Sequence, residues 1–84
     1  MKKIKHRIAH SEIRYGNIKL TKKDGVKEFF RSINNTFDAN VKGKKIYQRS
    51  VGNQKIWMGR EIMRKFNPND VMTITKKGRM VFFD

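Results

Sequence analysis

Alternating apolar and basic positions open the chain. Residues 3–9 place weakly polar or apolar side chains on one face and cations on the other. The inward set is Ile4, His6 and Ile8, and the outward set is Lys3, Lys5 and Arg7. This period of two is typical of a half-buried strand with a basic outer face. Residues 10–16 break the alternation and predict a loop, and residues 17–21 resume it as a second strand.

Two segments follow a helical period instead. In residues 24–33 the apolar side chains recur three and four positions apart, which marks one face of a helix. Asp24 suits the N-cap of this helix, and the asparagines at 34–35 predict its end. Residues 59–66 carry a shorter stripe of the same kind. Pro68 ends that second helix, because proline cannot continue it.

The rest of the chain alternates in short runs separated by turn residues. We predict strands over 37–41, 44–50, 56–57, 71–75 and 79–83, with turns at Gly43, 51–53 and 77–78. These elements predict one domain over residues 1–84 that is mainly β with two short helices (α+β). Six or seven strands in so short a chain favour a small barrel or rolled sheet. Its core is expected to contain Phe29, Phe30, Trp57, Phe66, Phe82 and Phe83.

The charge of the chain narrows this picture. The 84 residues include 21 Lys and Arg against 7 Asp and Glu, a formal net charge of +14. Both halves contribute almost equally, so the folded body is basic and not merely a tail. So many like charges repel one another in a compact domain, which indicates a polyanionic partner. Nucleic acid is the leading candidate, because each phosphate that a Lys or Arg neutralises releases a counterion.

Composition also argues against several classes of protein. The chain has no Cys, which excludes disulfide frameworks and thiolate zinc sites. No apolar run reaches the roughly 18 residues of a membrane span. The basic N-terminus leads into alternating residues and not into an apolar signal core. We therefore expect a soluble protein of the cytoplasm, associated with the nucleoid and without membrane contact.

Catalytic chemistry has little support in the sequence. The seven carboxylates are scattered, and no phosphate-binding loop or dinucleotide motif is present. His6 and His10 would lie about 13 Å apart on a strand, which disfavours a shared metal. His6 is better explained as a partly buried strand residue and His10 as a polar loop residue. We predict a non-enzymatic protein without cofactor or metal.

Two segments carry the side chains that nucleic-acid recognition uses. Arg bonds guanine, Asn and Gln bond adenine, and hydroxyls, cations and aromatics add phosphate and stacking contacts. The first segment and the strand after it offer His10, Ser11, Arg14, Tyr15, Asn17 and Lys19. The second offers Tyr47, Gln48, Arg49, Ser50, Asn53, Gln54 and Lys55. Phosphate contacts are expected from Lys3, Lys5 and Arg7, and ordinary polar surface loops are the competing interpretation.

Two ordered blocks of short motifs run over most of the chain. The first is Ile8–Ile13, then Gly16–Leu20 and Phe29–Phe30; the second is Lys45–Arg49, then Lys55–Gly59, then Phe66–Val71. In this order they resemble the DNA-binding pseudobarrel family, which includes the plant B-three domain and the effector domains of some restriction endonucleases. The last block ends at a turn where the family often has Gly-Asp. This chain has Asn69–Asp70 there, and Asn tolerates a left-handed backbone.

The resemblance implies a small open pseudobarrel that grips double-stranded DNA with two arms in the major groove. According to this resemblance, residues 10–17 form arm one and residues 48–55 form arm two. The same two segments carry the side chains suited to nucleic-acid recognition. Arg60 departs from the family, which commonly has an aromatic residue there, and both arms are shorter than in the plant domains.

The leading hypothesis is therefore a monomeric, double-stranded DNA-binding protein that acts in transcription regulation. Three alternatives stay open. Small basic barrels with exposed aromatics also bind RNA or ribosomes. Residues 56–83 resemble swapped-hairpin transcription regulators, which are dimers. An acidic protein partner would also suit the charge.

Overall fold

The computed structural model describes residues 2–31, 33, 36–50, 52 and 54–84, with the backbone alone at 2 and 47–50. Within these residues the chain forms seven strands and three short helices. The strands are β1 (Lys2–Arg7), β2 (Asn17–Lys19), β3 (Thr36–Val41), β4 (Lys44–Ser50), β5 (Lys55–Trp57), β6 (Val71–Lys77) and β7 (Met80–Phe83). The helices are α1 (His10–Tyr15), α2 (Val26–Arg31) and α3 (Arg60–Met63). In the described part of the chain, no helix has the length and apolarity that a membrane crossing needs.

The strands form a five-stranded sheet and a two-stranded sheet. The larger sheet has the order β1-β6-β7-β3-β4, in which only β3 and β7 run parallel. The smaller sheet is the antiparallel pair β2–β5. Both sheets are open and do not close into a barrel, and the prediction of a mainly β, open fold with six or seven strands is confirmed.

The core forms where the inward faces of the strands meet the apolar stripe of α2. On β1 the cations of the outer face are exposed and His6 is buried, as the alternation predicts. Phe30 of α2 lies at the centre of an aromatic cluster. Its ring centroid is 5.0 Å from that of Phe29, 5.4 Å from that of Phe37 and 6.2 Å from that of Phe83. These separations suit favourable aromatic pairs and fix how α2 packs on the larger sheet.

Residues 10–16 are not a loop, as the sequence suggested, but the helix α1 followed by its cap. The carboxylate of Glu12 accepts a hydrogen bond from the backbone N–H of Ala9 (2.8 Å), which satisfies a donor at the helix start. Gly16 adopts φ 73°, and its N–H donates to the carbonyl oxygen of Glu12 (2.9 Å) to end the helix. The helix was missed because its buried anchor is a carboxylate, which no apolar stripe reveals.

Three further predictions need correction. The two expected helices are shorter than predicted, because residues 24–25 and 64–66 form turns at their ends. Trp57, expected in the core, is 58% exposed, because Ile56 takes the inward position of β5. Phe82 is only partly buried. The predicted turn at 51–53 is described only at Gly52, since positions 51 and 53 lie outside the described residues.

The turn before β6 holds the end of β1 in place. Ile8 donates its N–H to the carbonyl oxygen of Asp70 and accepts one from Asn69, both at 2.8 Å. Asn69 has φ 73°, so the left-handed backbone expected at this position is confirmed. These bonds fix the direction in which the chain leaves β1 and enters α1.

Candidate nucleic-acid interface

The pairing of β2 with β5 joins the end of arm one, at Asn17, and the described end of arm two, at Gln54 and Lys55, to one small sheet. Asn17 lies opposite Trp57, and Lys19 lies opposite Lys55. One more backbone bond extends the pair, from the N–H of Leu20 to the carbonyl oxygen of Gln54 (2.9 Å). Arm one therefore enters this small sheet at one end and arm two enters it at the other. We call the outer surface of α1, β2 and β5 the arm face.

The exposed charge of the arm face is entirely positive. Arg14, Lys19 and Lys55 are exposed, and Lys19 and Lys55 are direct cross-strand neighbours on its outer side. The sole acid in these three elements is Glu12, which is buried. Like charges directly opposite each other destabilise a strand pair. The arm face therefore has a local excess of positive charge that an anion would relieve.

A buried ionic network fixes arm one to the body of the protein. His6 of β1 donates through Nε2 to Oε2 of Glu12 (2.8 Å) and through Nδ1 to Oδ2 of Asp24 (2.5 Å). A neutral imidazole has one donor, whereas an imidazolium has two, so with both carboxylates ionised this geometry requires the charged form. The His6 network, as we call these three side chains, ties β1, α1 and the start of α2 together.

Backbone groups complete this network. Besides His6, the carboxylate of Glu12 accepts the N–H groups of Ala9 and Lys19, both at 2.8 Å. Asp24 accepts the hydroxyl of Thr21 (2.5 Å) and the N–H of Val26 (3.2 Å), so it caps α2 as predicted. Both carboxylates, the buried one of Glu12 and the partly buried one of Asp24, thus accept several hydrogen bonds, which is the condition for keeping a charge away from water.

The network shifts the pKa values of its members toward their charged forms. Burial lowers the pKa of His6, but the hydrogen bonds and charges of Glu12 and Asp24 outweigh it and raise that pKa above 6.5. Burial raises the pKa of Glu12, yet its bonds from His6, Ala9 and Lys19 bring that pKa below 4.5. For Asp24, burial is again outweighed, by Thr21, His6 and the N–H of Val26, and its pKa falls below 3.8. The imidazolium and both carboxylates therefore stay charged together.

A close backbone contact joins arm one to α3. The carbonyl oxygen of Gly16 accepts the N–H groups of Met58 and Gly59, both at 2.9 Å. A Cβ atom at position 16 would lie 2.5 Å from the backbone nitrogen of Arg60 and 2.6 Å from the carbonyl carbon of Gly59. Only glycine fits this position, because both the φ of 73° and the close approach exclude a side chain.

The predicted phosphate contacts lie beside the arm face. An open depression of about 630 Å³ has the His6 network in its lining. Its other cations are Lys5, Arg7, Lys19 and Lys23. Lys3 is exposed on the same side of β1 as Lys5 and Arg7. The positive surface of β1 thus continues into the arm face through Lys19.

Arm two is held by backbone contacts in its described part. The N–H of Gly52 donates to the carbonyl oxygen of Lys55 (3.1 Å), which closes a turn before β5. Upstream, the register of β3 and β4 shifts by one residue, so that Tyr47 and Gln48 lie opposite Asp38. Such a bulge bends the strand that carries it, here where arm two begins. The side chains at 47–50, and Asn53 as a whole, lie outside the described residues.

The structure sorts the remaining predicted contacts by exposure. His10, Arg14, Tyr15, Gln54 and Lys55 are exposed, and Ser11 accepts a hydrogen bond from Nζ of Lys19 (3.0 Å). Asn17, in contrast, is 1% exposed, so it contacts a ligand only if its surroundings move. Among the described residues its side-chain oxygen has no hydrogen-bond partner.

Sequence reasoning missed two residues of this surface. Trp57 lies on the arm face, and Lys23 lines the depression. The pattern of β5 did contain the signal for Trp57, since an inward Ile56 between two outward neighbours places Trp57 beside Lys55. No group of three or more His, Cys, Asp or Glu side chains in the described ranges is arranged to hold a metal ion.

Comparisons of the chain with protein-family models, with curated proteins and with solved structures found no match.

Proposed function

We propose that the protein is a non-enzymatic module that binds double-stranded DNA on the arm face. The observation that carries this proposal is the exposed cross-strand pair Lys19 and Lys55. Arg14 is also exposed on α1, and α1, β2 and β5 have no exposed acid. A surface that concentrates one sign of charge in this way attracts a polyanion and accelerates its association. A phosphate between the two lysines removes their mutual repulsion.

The geometry of the cations suits a duplex better than a small anion. The positive surface extends from Lys55 through Lys19 to Lys5 and Arg7, so several phosphates along one backbone have partners. Arm one adds Arg14 and Tyr15, and arm two adds Gln54, as exposed groups that can reach base edges. We therefore assign phosphate binding to the strands and base contacts to the two arms. Arg49 of arm two is kept in this proposal as a base contact on the strength of the sequence alone.

We propose that the protein binds DNA as a monomer, with its larger sheet completed by one chain. The β6–β7 hairpin pairs on one side with β1 and on the other with β3 of the same chain. A swapped-hairpin dimer would take these partners from a second chain. The role that fits a basic, monomeric DNA-binding module is regulation of transcription at the nucleoid.

A salt titration of duplex binding tests the proposal. Fluorescence anisotropy with a labelled duplex should show affinity that falls steeply with salt, with about −0.9 in the log–log slope for each neutralised phosphate. The variant K19Q/K55Q should lose about two such contacts. The matched control is K77Q/R79Q, which removes the same amount of charge. Lys77 and Arg79 line neither the depression beside the His6 network nor the arm face.

Two results would contradict the proposal. One is an equal loss of affinity in K19Q/K55Q and K77Q/R79Q, which would show that affinity depends on net charge and not on where the cations lie. The other is displacement of the labelled duplex by a structured RNA hairpin at a much lower concentration than by unlabelled duplex. That result would identify the arm face as an RNA-binding surface.

A further inference from the structure

Trp57 is the single tryptophan of the chain and stands on the outside of β5. It is 58% exposed, whereas its neighbour Ile56 is fully buried. The core is therefore complete without this indole ring. An exposed indole ring joins a broad apolar face to a polar N–H group, so its value for binding depends on what surrounds it.

The surroundings of Trp57 are cationic and concave. Nζ of Lys55 lies 5.6 Å from the centroid of the Trp57 ring, within the range of a cation–π contact. An open depression of about 300 Å³ is lined by Gly52, Gln54, Lys55 and Trp57. That volume lies at the small end of the range for ligand sites, which suits one planar ring and not a whole cofactor.

A second exposed aromatic lies close to the first along the backbone contacts. Tyr15, also 58% exposed, directly precedes Gly16, whose carbonyl oxygen accepts the N–H of Met58, the residue after Trp57. The Arg14 guanidinium lies 5.6 Å from the Tyr15 ring centroid. Both exposed rings therefore have a cation beside them on a face whose exposed charges are all positive. Aromatic rings between cations are the arrangement that stacks bases and binds phosphates together.

Unpaired bases, and not stacked ones, can reach such a ring. Inside a duplex the faces of each base are covered by its neighbours, so an aromatic side chain finds a free face only where pairing stops or a base leaves the stack. An apolar protein partner would also cover Trp57. The cations around the ring favour the nucleic acid instead, by charge complementarity.

We propose that Trp57 stacks on an unpaired nucleobase at the end of a DNA duplex whose phosphates occupy the arm face. This inference rests on the proposed DNA-binding function and specifies its target as a junction between double-stranded and single-stranded DNA. The ammonium group of Lys55 then has two roles. It contacts the Trp57 ring, and it neutralises the phosphate next to the stacked base.

The test compares a blunt duplex with the same duplex carrying a short single-stranded overhang. The overhang should raise the affinity between about 5-fold and about 150-fold, the range of one base–aromatic stack. Because Trp57 is the only tryptophan, its intrinsic fluorescence reports the contact directly. Quenching should appear with the overhang and stay small with the blunt duplex.

Two variants assign the effect to the ring. Trp57→Ala should abolish the preference for the overhang, measured as the ratio of overhang-duplex to blunt-duplex affinity, and Trp57→Phe should keep part of that preference. The matched control is Val71→Ala, another exposed apolar side chain (51%) on a different strand, which should keep all of it. Thermal unfolding checks that each variant is folded, as expected for changes at exposed positions.

The outcomes separate this inference from the function beneath it. Salt-dependent binding of both duplexes with equal affinity and unchanged Trp57 fluorescence would overturn the stacking and leave duplex binding intact. Binding of neither duplex would overturn the proposed function. Tight binding of a free single strand with no affinity for blunt duplex would overturn duplex binding and, with it, the junction as the target.

Discussion

The two arms of the proposed interface are built in different ways. Arm one is a short helix held from beneath by charged side chains, chiefly the bond between Glu12 and His6. Arm two, in its described part, is held by backbone bonds, such as the one from Leu20 to Gln54. The contrast is sharpest at two consecutive residues of the chain. The N–H of Lys19 donates to the Glu12 carboxylate, whereas the N–H of Leu20 donates to the Gln54 carbonyl oxygen.

This difference determines what each arm responds to. A buried ion pair is strong only while both partners stay charged, so the position of arm one depends on pH and on single side chains. Backbone bonds depend on neither. We therefore expect substitutions and pH changes that loosen arm one to leave the backbone contacts of arm two in place.

The largest effect is expected from Glu12→Gln. Removing the charge of one partner in a buried pair should lower the free energy of unfolding by about 3 kcal/mol or more. Hydrogen exchange should show more loss of protection at the Lys19 amide than at the Leu20 amide. The control is Glu28→Gln, in an exposed pair with Arg31, for which we expect less than about 0.5 kcal/mol. Equal losses at both amides would abolish the distinction between the arms.

Gly16→Ala should be the next most damaging change. Its Cβ would overlap backbone atoms of Gly59 and Arg60, and the left-handed φ adds strain, so we expect a loss of about 3 kcal/mol in urea unfolding. Gly78→Ala is the control, because φ there is also positive, at 64°, but no atom lies within 4 Å of the new Cβ. It should cost about 1 to 2 kcal/mol. Similar losses in both variants would show that the contact between arm one and α3 is loose.

The stability of the protein should pass through a maximum in mildly acidic solution. The pKa of His6 is raised, so its contribution is fully present below 6.5 and is lost as pH rises through the raised pKa. The pKa values of Glu12 and Asp24 are lowered, so theirs are present above 4.5 and 3.8 and are lost as pH falls. His6→Gln should lower stability near the maximum and converge with the wild type in alkaline solution. Parallel curves across the alkaline range would contradict a charged His6.

The smallest effect is expected from single cations of the arms. Arg14→Gln in arm one and Lys55→Gln in arm two should each reduce the salt slope of duplex binding by about 1. Above the pKa of His6, however, only the contribution of Arg14 should weaken, because Arg14 lies on the helix that the His6 network holds. Salt titrations in acidic and alkaline buffer measure this. An equal pH response of both variants would show that arm one keeps its position without the network.

The strands were predictable because their physics is local. A period of two in the sequence follows directly from the alternating directions of side chains on a strand, and it located all seven. The same rule fails at α1 and at Trp57 for different reasons. Helix α1 depends on the carboxylate of Glu12. The partners of that carboxylate, His6 and the N–H of Lys19, lie on strands β1 and β2. Trp57 was placed in the core as part of a strand-period pattern, although Ile56 already fills the inward position of β5.

The sequence by itself determined a basic, mainly β domain and the two segments with the chemistry for nucleic-acid contact. Composition and short-range periodicity carry that information without any knowledge of which strands pair. Only the tertiary structure decided that β2 pairs with β5, which brings Lys19 opposite Lys55 and sets Trp57 beside them. It also decided that His6, Glu12 and Asp24 meet. Contacts between distant residues depend on strand pairing and on the packing of helices against the sheets, which local patterns do not specify.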